Sequence, residues 1–423
     1  MSDLTDRLSH LSPEQRRLLE LRLRDRGMQS AAHPVPAAGT PPRTAAAPPE
    51  DPDAWRRRPV ERPLRFSLYF FSDDGSTQSG AKYRLVLDSA RFADENGFDA
   101  VWTPERHFQA FGGLYPNPSV LGAALAAVTR RVGIRAGSVA LPLHNPLRVA
   151  EEWSVVDNLS GGRVAVSFAS GWHPDDFVLY PTPYAERKEA MFRGIETIRA
   201  LWAGREVTVP GPDGRAVTVR TLPRPLQAEL PVWVTTAGNP ETWERAASIG
   251  ANVLAALIGY TPDDLRGLVA RYRAERARAG FDPTAGRVTL VAHTYIGEDD
   301  DAVRELVRAP MTRYLQTYLA QFQPKGPGAE DAGRDARDIA ALAFDHYLAT
   351  STLLGTQNTC ARTLETIAAS GADEVACLID FGLEPDVVLA ALPGLAALRA
   401  HHAPRPITEA PLAAGSASEP VHG

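Results

Sequence analysis

Residues 64–71 and 82–102, LRFSLYFF and KYRLVLDSARFADENGFDAVW, decide the fold. An apolar, aromatic run with strand character is followed by an amphipathic helix that ends at Gly97. A second buried strand, Phe98 to Trp102, follows at once. The rhythm then repeats. VGIRAGSVAL leads to PLRVAEEWSVVDNLSGG, RVAVSFASG to RKEAMFRGIETIRALW, PVWVTTAG to NPETWERAASIG, and ANVLAAL to PDDLRGLVARYRAERARAG. RVTLVAHTYIG and DEVACLIDFG supply the last two strands. Apolar, β-branched strands alternating with helices of period 3.6 argue for βαβ units and a parallel sheet. Eight such units predict an α/β fold, a (β/α)8 TIM barrel, rather than an open doubly wound sheet. No G-x-G-x-x-G follows the first strand, which argues against a dinucleotide fold.

The flanks and insertions divide the chain further. Residues 1–26 carry Leu4, Leu8, Leu11, Leu18, Leu19 and Leu23 at helical spacings and predict a small helical, docking-like element. Residues 27–60 are rich in Pro and Ala and predict a flexible, disordered linker. The barrel is expected over 61–405 and a disordered tail over 406–423. Two insertions are expected, after strands four and seven. EVTVPGPDGRAVTVR suggests a hairpin turning at Asp213-Gly214. A helix-rich excursion over about 300 to 350 is long enough to act as a lid.

Bulk properties narrow the function. The 423 residues are 44% hydrophobic and 23% charged, an ordinary globular composition. A net charge of −6 gives no basic footprint for nucleic acid. Two cysteines are too few for a disulfide framework. No signal core is visible at MSDLTDRLSH, and no run of about 18 apolar residues occurs, so no membrane partner and a cytoplasmic location are expected.

Chemistry in such a barrel sits where the strands end. Strand two ends in Glu105, Arg106 and His107, among aromatics. The other ends supply Phe70, Phe71 and Ser72; His144 and Asn145; Ser170, Gly171, Trp172 and His173; and Thr236, Ala237, Gly238 and Asn239. Aromatic walls, small residues and a few polar hooks suit a flat conjugated ligand. The TTAGNPETW turn offers backbone N–H groups at a helix N-terminus, an anion site. No H-E-x-x-H occurs and no metal is expected.

GFDAVWTPERHF, ALPLHNPLRVAEEWSVVDNLSGGRVAVSFASGW and ERKEAMFRGIETIRALW resemble the bacterial luciferase-like flavin monooxygenases, from Leu64 to roughly Pro404. The branch associated with polyketide and nonribosomal-peptide assembly lines is the most similar. LSPEQRRLLELRLR resembles helical segments bordering carrier domains. The resemblance implies a barrel that binds reduced FMN, activates dioxygen and works beside a separate flavin reductase. It implies a natural-product intermediate, free or carrier-bound, as substrate, with residues 1–26 meeting a carrier protein or synthetase module. A homodimer is also expected. The cofactor residues would be Ser72, Gly137, Ser138, Ser170, Gly171, Arg187, Ala237, Gly238 and Asn239. Arg187 would hold the phosphate, and a bulge near Gly137-Ser138, often a non-prolyl cis peptide in this family, would support the ring. Where the family reads Glu-His-His this chain reads Glu105-Arg106-His107. An arginine keeps its proton, so acid–base work passes to His107 while Arg106 can stabilise negative charge. A deazaflavin-dependent hydride-transfer enzyme and a non-catalytic assembly-line binding module are the alternatives.

Overall fold

A computed structural model describes residues 51–71, 82–109, 112–236, 238–258, 260–320, 344–345 and 347–402. Eight strands run parallel: β1 (Arg65–Phe70), β2 (Ala100–Thr103), β3 (Gly133–Ala140), β4 (Val164–Ala169), β7 (Val232–Thr236), β8 (Asn252–Ala256), β9 (Val288–Ile296) and β11 (Glu374–Asp380). They pair in that order, and β11 closes on β1 with Arg65 opposite Glu374. The result is a closed (β/α)8 barrel.

Helices surround it: α1 (Arg84–Glu95), α2 (Pro118–Val128), α3 (Pro146–Ser160), α4 (Arg187–Trp202), α5 (Pro240–Ser248), α6 (Pro262–Arg278), α7 (Asp300–Ala320), α8 (Gln357–Ala369) and α9 (Pro385–His402). The sequence starts several of them by one device. Asn117, Asn145 and Asn239 each stand before a proline at the first helical position, and each side chain accepts a backbone N–H of the first turn.

The interior is plugged at the N-terminal ends of the strands. Glu374 is fully buried and accepts from Arg135 at 2.8 and 3.0 Å, Arg287 at 3.3 Å and the Ser67 hydroxyl at 2.6 Å. The Arg135 guanidinium lies 4.9 and 4.8 Å from the centroids of the Trp102 and Trp233 rings, which meet edge to face. Burial alone would push the Glu374 carboxyl up, but the two arginines and the hydrogen bonds hold it below its ordinary value.

The insertion after α4 is an antiparallel hairpin, β5 (Val207–Pro210) with β6 (Ala216–Val219), and Gly214 takes φ +78° in its turn. The excursion after β9 contains α7, a helical piece at 347–350, and β10 (Leu353–Gly355), which adds to β9 at Thr294–Ile296. Val307, Met311 and Leu315 of α7 pack in one apolar cluster with Trp102, Trp233 and Leu378 of the barrel.

Residues 51–60, expected as linker, are packed. Trp55 is fully buried, with its backbone N–H on Asn358 Oδ1 at 2.7 Å. Asn358 Nδ2 returns a bond to the Asp51 carbonyl, Arg58 pairs with Glu365, and Arg62 pairs with Asp373. This strap descends along α8, from the end near β10 to the start of β11. One indole supplies the burial that the surrounding Arg- and Pro-rich composition conceals. The expected 1–26 element and the 406–423 tail lie outside the described residues.

Candidate active site

The ends of β2 and β3 place three groups together. Glu105 is buried, and His107 Nε2 and His144 Nε2 lie 2.7 and 2.6 Å from the same oxygen, Oε1. Oε2 accepts the Ala140 N–H at 2.9 Å. Burial would raise the Glu105 carboxyl, but the bonds from both imidazoles outweigh it and hold it below the usual carboxylate range. Burial would lower His144, yet the Glu105 bond and charge raise it above an ordinary histidine.

Arg106 sits between Glu105 and His107 in sequence but contacts a different set. Its side chain is 1% exposed, its guanidinium lies 4.4 Å from the Trp172 ring centroid, and Nη1 is 3.8 Å from Asp176 Oδ2. Asp176 is buried, which raises its pKa against the opposing pull of Arg106 and His173. His173 Nδ1 is 3.6 Å from Asp176 Oδ1. The strand-two triplet is therefore split between two polar centres. Phe108, next in sequence, takes φ +56° and is 68% exposed.

The bulge in β3 lies beside them. The Gly137–Ser138 peptide is cis, and the register against β4 shifts there. A Cβ on Gly137 would sit 2.9 Å from the Trp102 ring and 3.0 Å from the Tyr69 ring, so only glycine fits. The Tyr69 hydroxyl donates to the Gly137 carbonyl. Thr235 joins the Ser138 and Ser167 hydroxyls in one chain, with Ser167 at 2.7 Å. Gly171 follows Ser170 with φ +74°, and a Cβ there would meet the Phe177 ring at 3.1 Å.

Arg187 opens α4. Nη1 donates to the Tyr184 carbonyl at 2.9 Å, its guanidinium stacks 4.0 Å from the Tyr184 ring centroid, and Nε is buried with no hydrogen-bond partner among the described residues. Gly238, at φ +93°, and Asn239 form the start of α5, which Arg245 ties to Glu189 of α4. Ser72 and Ala237 lie outside the described residues. Sequence reasoning gave no role to Tyr69, Ser167, Thr235, Asp176 or His293. For Ser167 and Thr235 the signal was available, as hydroxyls at inward positions of apolar strands.

A closed parallel barrel with buried acid–base groups at its strand ends defines a (β/α)8-barrel enzyme. The chain belongs to the luciferase-like monooxygenase family, whose model matches residues 64–374. It is 25% identical over 329 residues to the flavin-dependent trigonelline monooxygenase, oxygenase component, of Acinetobacter baylyi, spanning 76% of this chain and 90% of that protein. It is 28% identical over 286 residues to 4-hydroxyprotoasukamycin monooxygenase of Streptomyces nodosus subsp. asukaensis, spanning 65% and 74%. The crystal structure of monooxygenase RslO1 from Streptomyces bottropensis is similar with a TM-score of 0.65 at 25% identity, covering 79% of this chain and 98% of that one. Among the described residues no helix is long and apolar enough to cross a membrane.

Proposed function

We propose that the chain is an oxygenase component that uses reduced FMN and dioxygen to oxygenate a natural-product intermediate, with a separate reductase supplying the flavin. The observation that carries this is the convergence of His107 and His144 on one oxygen of buried Glu105, beside the cis Gly137–Ser138 bulge. The residues present suit a flat phosphorylated cofactor. The orphaned Nε of Arg187 stands at a helix N-terminus, where an anion is favoured. Gly137 is packed against the Trp102 and Tyr69 rings, and half-buried Ser138 is the part of the bulge against which a ring can rest. Arg187, Ala237, Gly238 and Asn239 would hold the phosphate. Ser72, Gly137, Ser138, Ser170 and Gly171 would line the remainder. When bound, reduced FMN supplies the electrons that activate dioxygen.

The chain's own groups handle the protons. Because the Glu105 carboxylate accepts, Nε2 of each imidazole donates to it, which leaves Nδ1 as the basic nitrogen. Protonation at Nδ1 makes an imidazolium that Glu105 stabilises, the arrangement that lets a histidine take a proton and return it. Arg106, held over the Trp172 ring beside Asp176, favours developing negative charge. The Asp51 end of the strap lies at the catalytic face, beside Asn358. That placement suits delivery of a carrier-bound substrate by residues 1–26.

Anaerobic titration tests the reading. Reduced FMN should bind with one equivalent per chain, and a deazaflavin should not compete at equal concentration. Binding of the deazaflavin without FMN would replace the oxygenase with a hydride-transfer enzyme.

A further inference from the structure

His293 differs in kind from the imidazoles on Glu105. Along β9, Thr289, Val291 and His293 share one face. Thr289 accepts the Trp233 indole N–H at 3.1 Å, so that face looks into the barrel, with His293 toward the catalytic end. His293 is 4% exposed, and its Nδ1 lies 2.9 Å from the Tyr347 hydroxyl. The rings of Tyr314, Phe381 and Tyr347 stand edge-on to it, with centroids at 4.4, 5.4 and 5.7 Å. Its Nε2 is buried with no hydrogen-bond partner among the described residues. Leaving such a nitrogen unbonded costs about 1–3 kcal/mol, a cost that phenylalanine in the same aromatic box would avoid.

We propose that His293, aligned by Tyr347, binds substrate through Nε2, and that its ligand is a neutral oxygen, a carbonyl or hydroxyl, on an otherwise apolar skeleton. The surroundings argue for the neutral oxygen. Met311, Leu378, Phe381 and Tyr347 belong to one apolar cluster, and Phe381 and Tyr347 stand directly on His293. An anion buried among them would lose its hydration, and the arginines of the barrel floor are already held by Glu374. Burial also pushes His293 down to about 3, so it stays neutral at working pH and offers a hydrogen bond rather than a proton. His144, raised by Glu105, has the opposite character. Calling the ligand a substrate rests on the oxygenase reading; the binding property does not.

Quenching of tryptophan emission in the full-length protein, without flavin, tests this with three probes of one size. These are 2-acetonaphthone, which carries a ketone, 2-ethylnaphthalene, which lacks oxygen, and 2-naphthoate, which is an anion. Wild type should bind the ketone about tenfold more tightly than either other probe, the worth of about one hydrogen bond. His293→Phe should reduce ketone affinity to that of the hydrocarbon while leaving hydrocarbon and FMN affinities unchanged. His293→Gln, which keeps an amide donor, should retain part of the preference, and it serves if the Phe variant does not fold. Equal ketone preference in wild type and His293→Phe, preference for the naphthoate, or no binding of any probe would overturn the assignment. A water satisfying Nε2 would give no ketone preference in wild type. Failure of FMN to bind would leave this result standing and remove only the oxygenase reading.

Discussion

His144 and Glu105 stand 39 positions apart and meet at 2.6 Å, Nε2 on Oε1. The contact exists because β2 and β3 are neighbours, with Thr103 opposite Ala136, so their C-terminal loops rise side by side. It couples the stability of the site to pH. Glu105 is held below its ordinary value, so its contribution is present above the unfolded pKa, about 4.3, and is lost as pH falls through the folded one. His144 is raised, so its contribution is full below about 6.5 and is lost as pH rises through its folded value. Both act together between about pH 4.3 and about 6.5. Glu105→Gln should therefore lose more stability at about pH 5.5 than at about pH 8.5 in urea unfolding. Equal losses at both would remove the coupling.

Arg187→Ala should weaken FMN binding by roughly 1.5–3 kcal/mol, the worth of a charge-assisted hydrogen bond. Riboflavin, which lacks the phosphate, should bind both proteins alike. Fluorescence titration of both ligands decides it, and unchanged FMN affinity would place the phosphate elsewhere.

Glu374 holds two arginines in the barrel floor, far from the strand ends where the chemistry is expected. Glu374→Ala should cost about 3–5 kcal/mol, because it strands buried positive charge. Urea midpoints measure this, and a loss below about 1 kcal/mol would show that Arg135 and Arg287 find other partners.

The strap makes a truncation prediction. Removing residues 1–50 should leave the unfolding midpoint unchanged, whereas Trp55→Ala should cost about 3–5 kcal/mol, as a fully buried indole does. Under the carrier reading, the same truncation should slow oxidation of a carrier-bound substrate and spare a free analogue. Unchanged carrier turnover would make residues 1–26 irrelevant to docking.

Much of this molecule was legible in the sequence because period-2 and period-3.6 segments alternate cleanly from Leu64 onward. The floor of the barrel was not legible. Glu374 and Arg135 are 239 positions apart, and nothing local marks either as a partner. Glu105 and His107 stood out by chemistry among aromatics, and Gly137–Ser138 by small size within a β-branched strand. The splitting of Arg106 from its neighbours depends on Trp172 and Asp176, which the β4 loop brings in from afar. His293 read as part of an apolar strand because its partners, Tyr314 and Tyr347, come from the excursion that follows it.

If the imidazoles on Glu105 manage protons beside reduced FMN, losing one of them changes the fate of the oxygen that meets the flavin. Wild type and His107→Ala, each loaded anaerobically with reduced FMN to equal saturation, are mixed with oxygenated buffer, and hydrogen peroxide release is followed by a coupled peroxidase. Equal flavin affinity is expected, with a peroxide release rate that differs at least about tenfold in the variant, a modest share of what a positioned acid–base group contributes. Equal release rates at equal affinity would contradict the proton role.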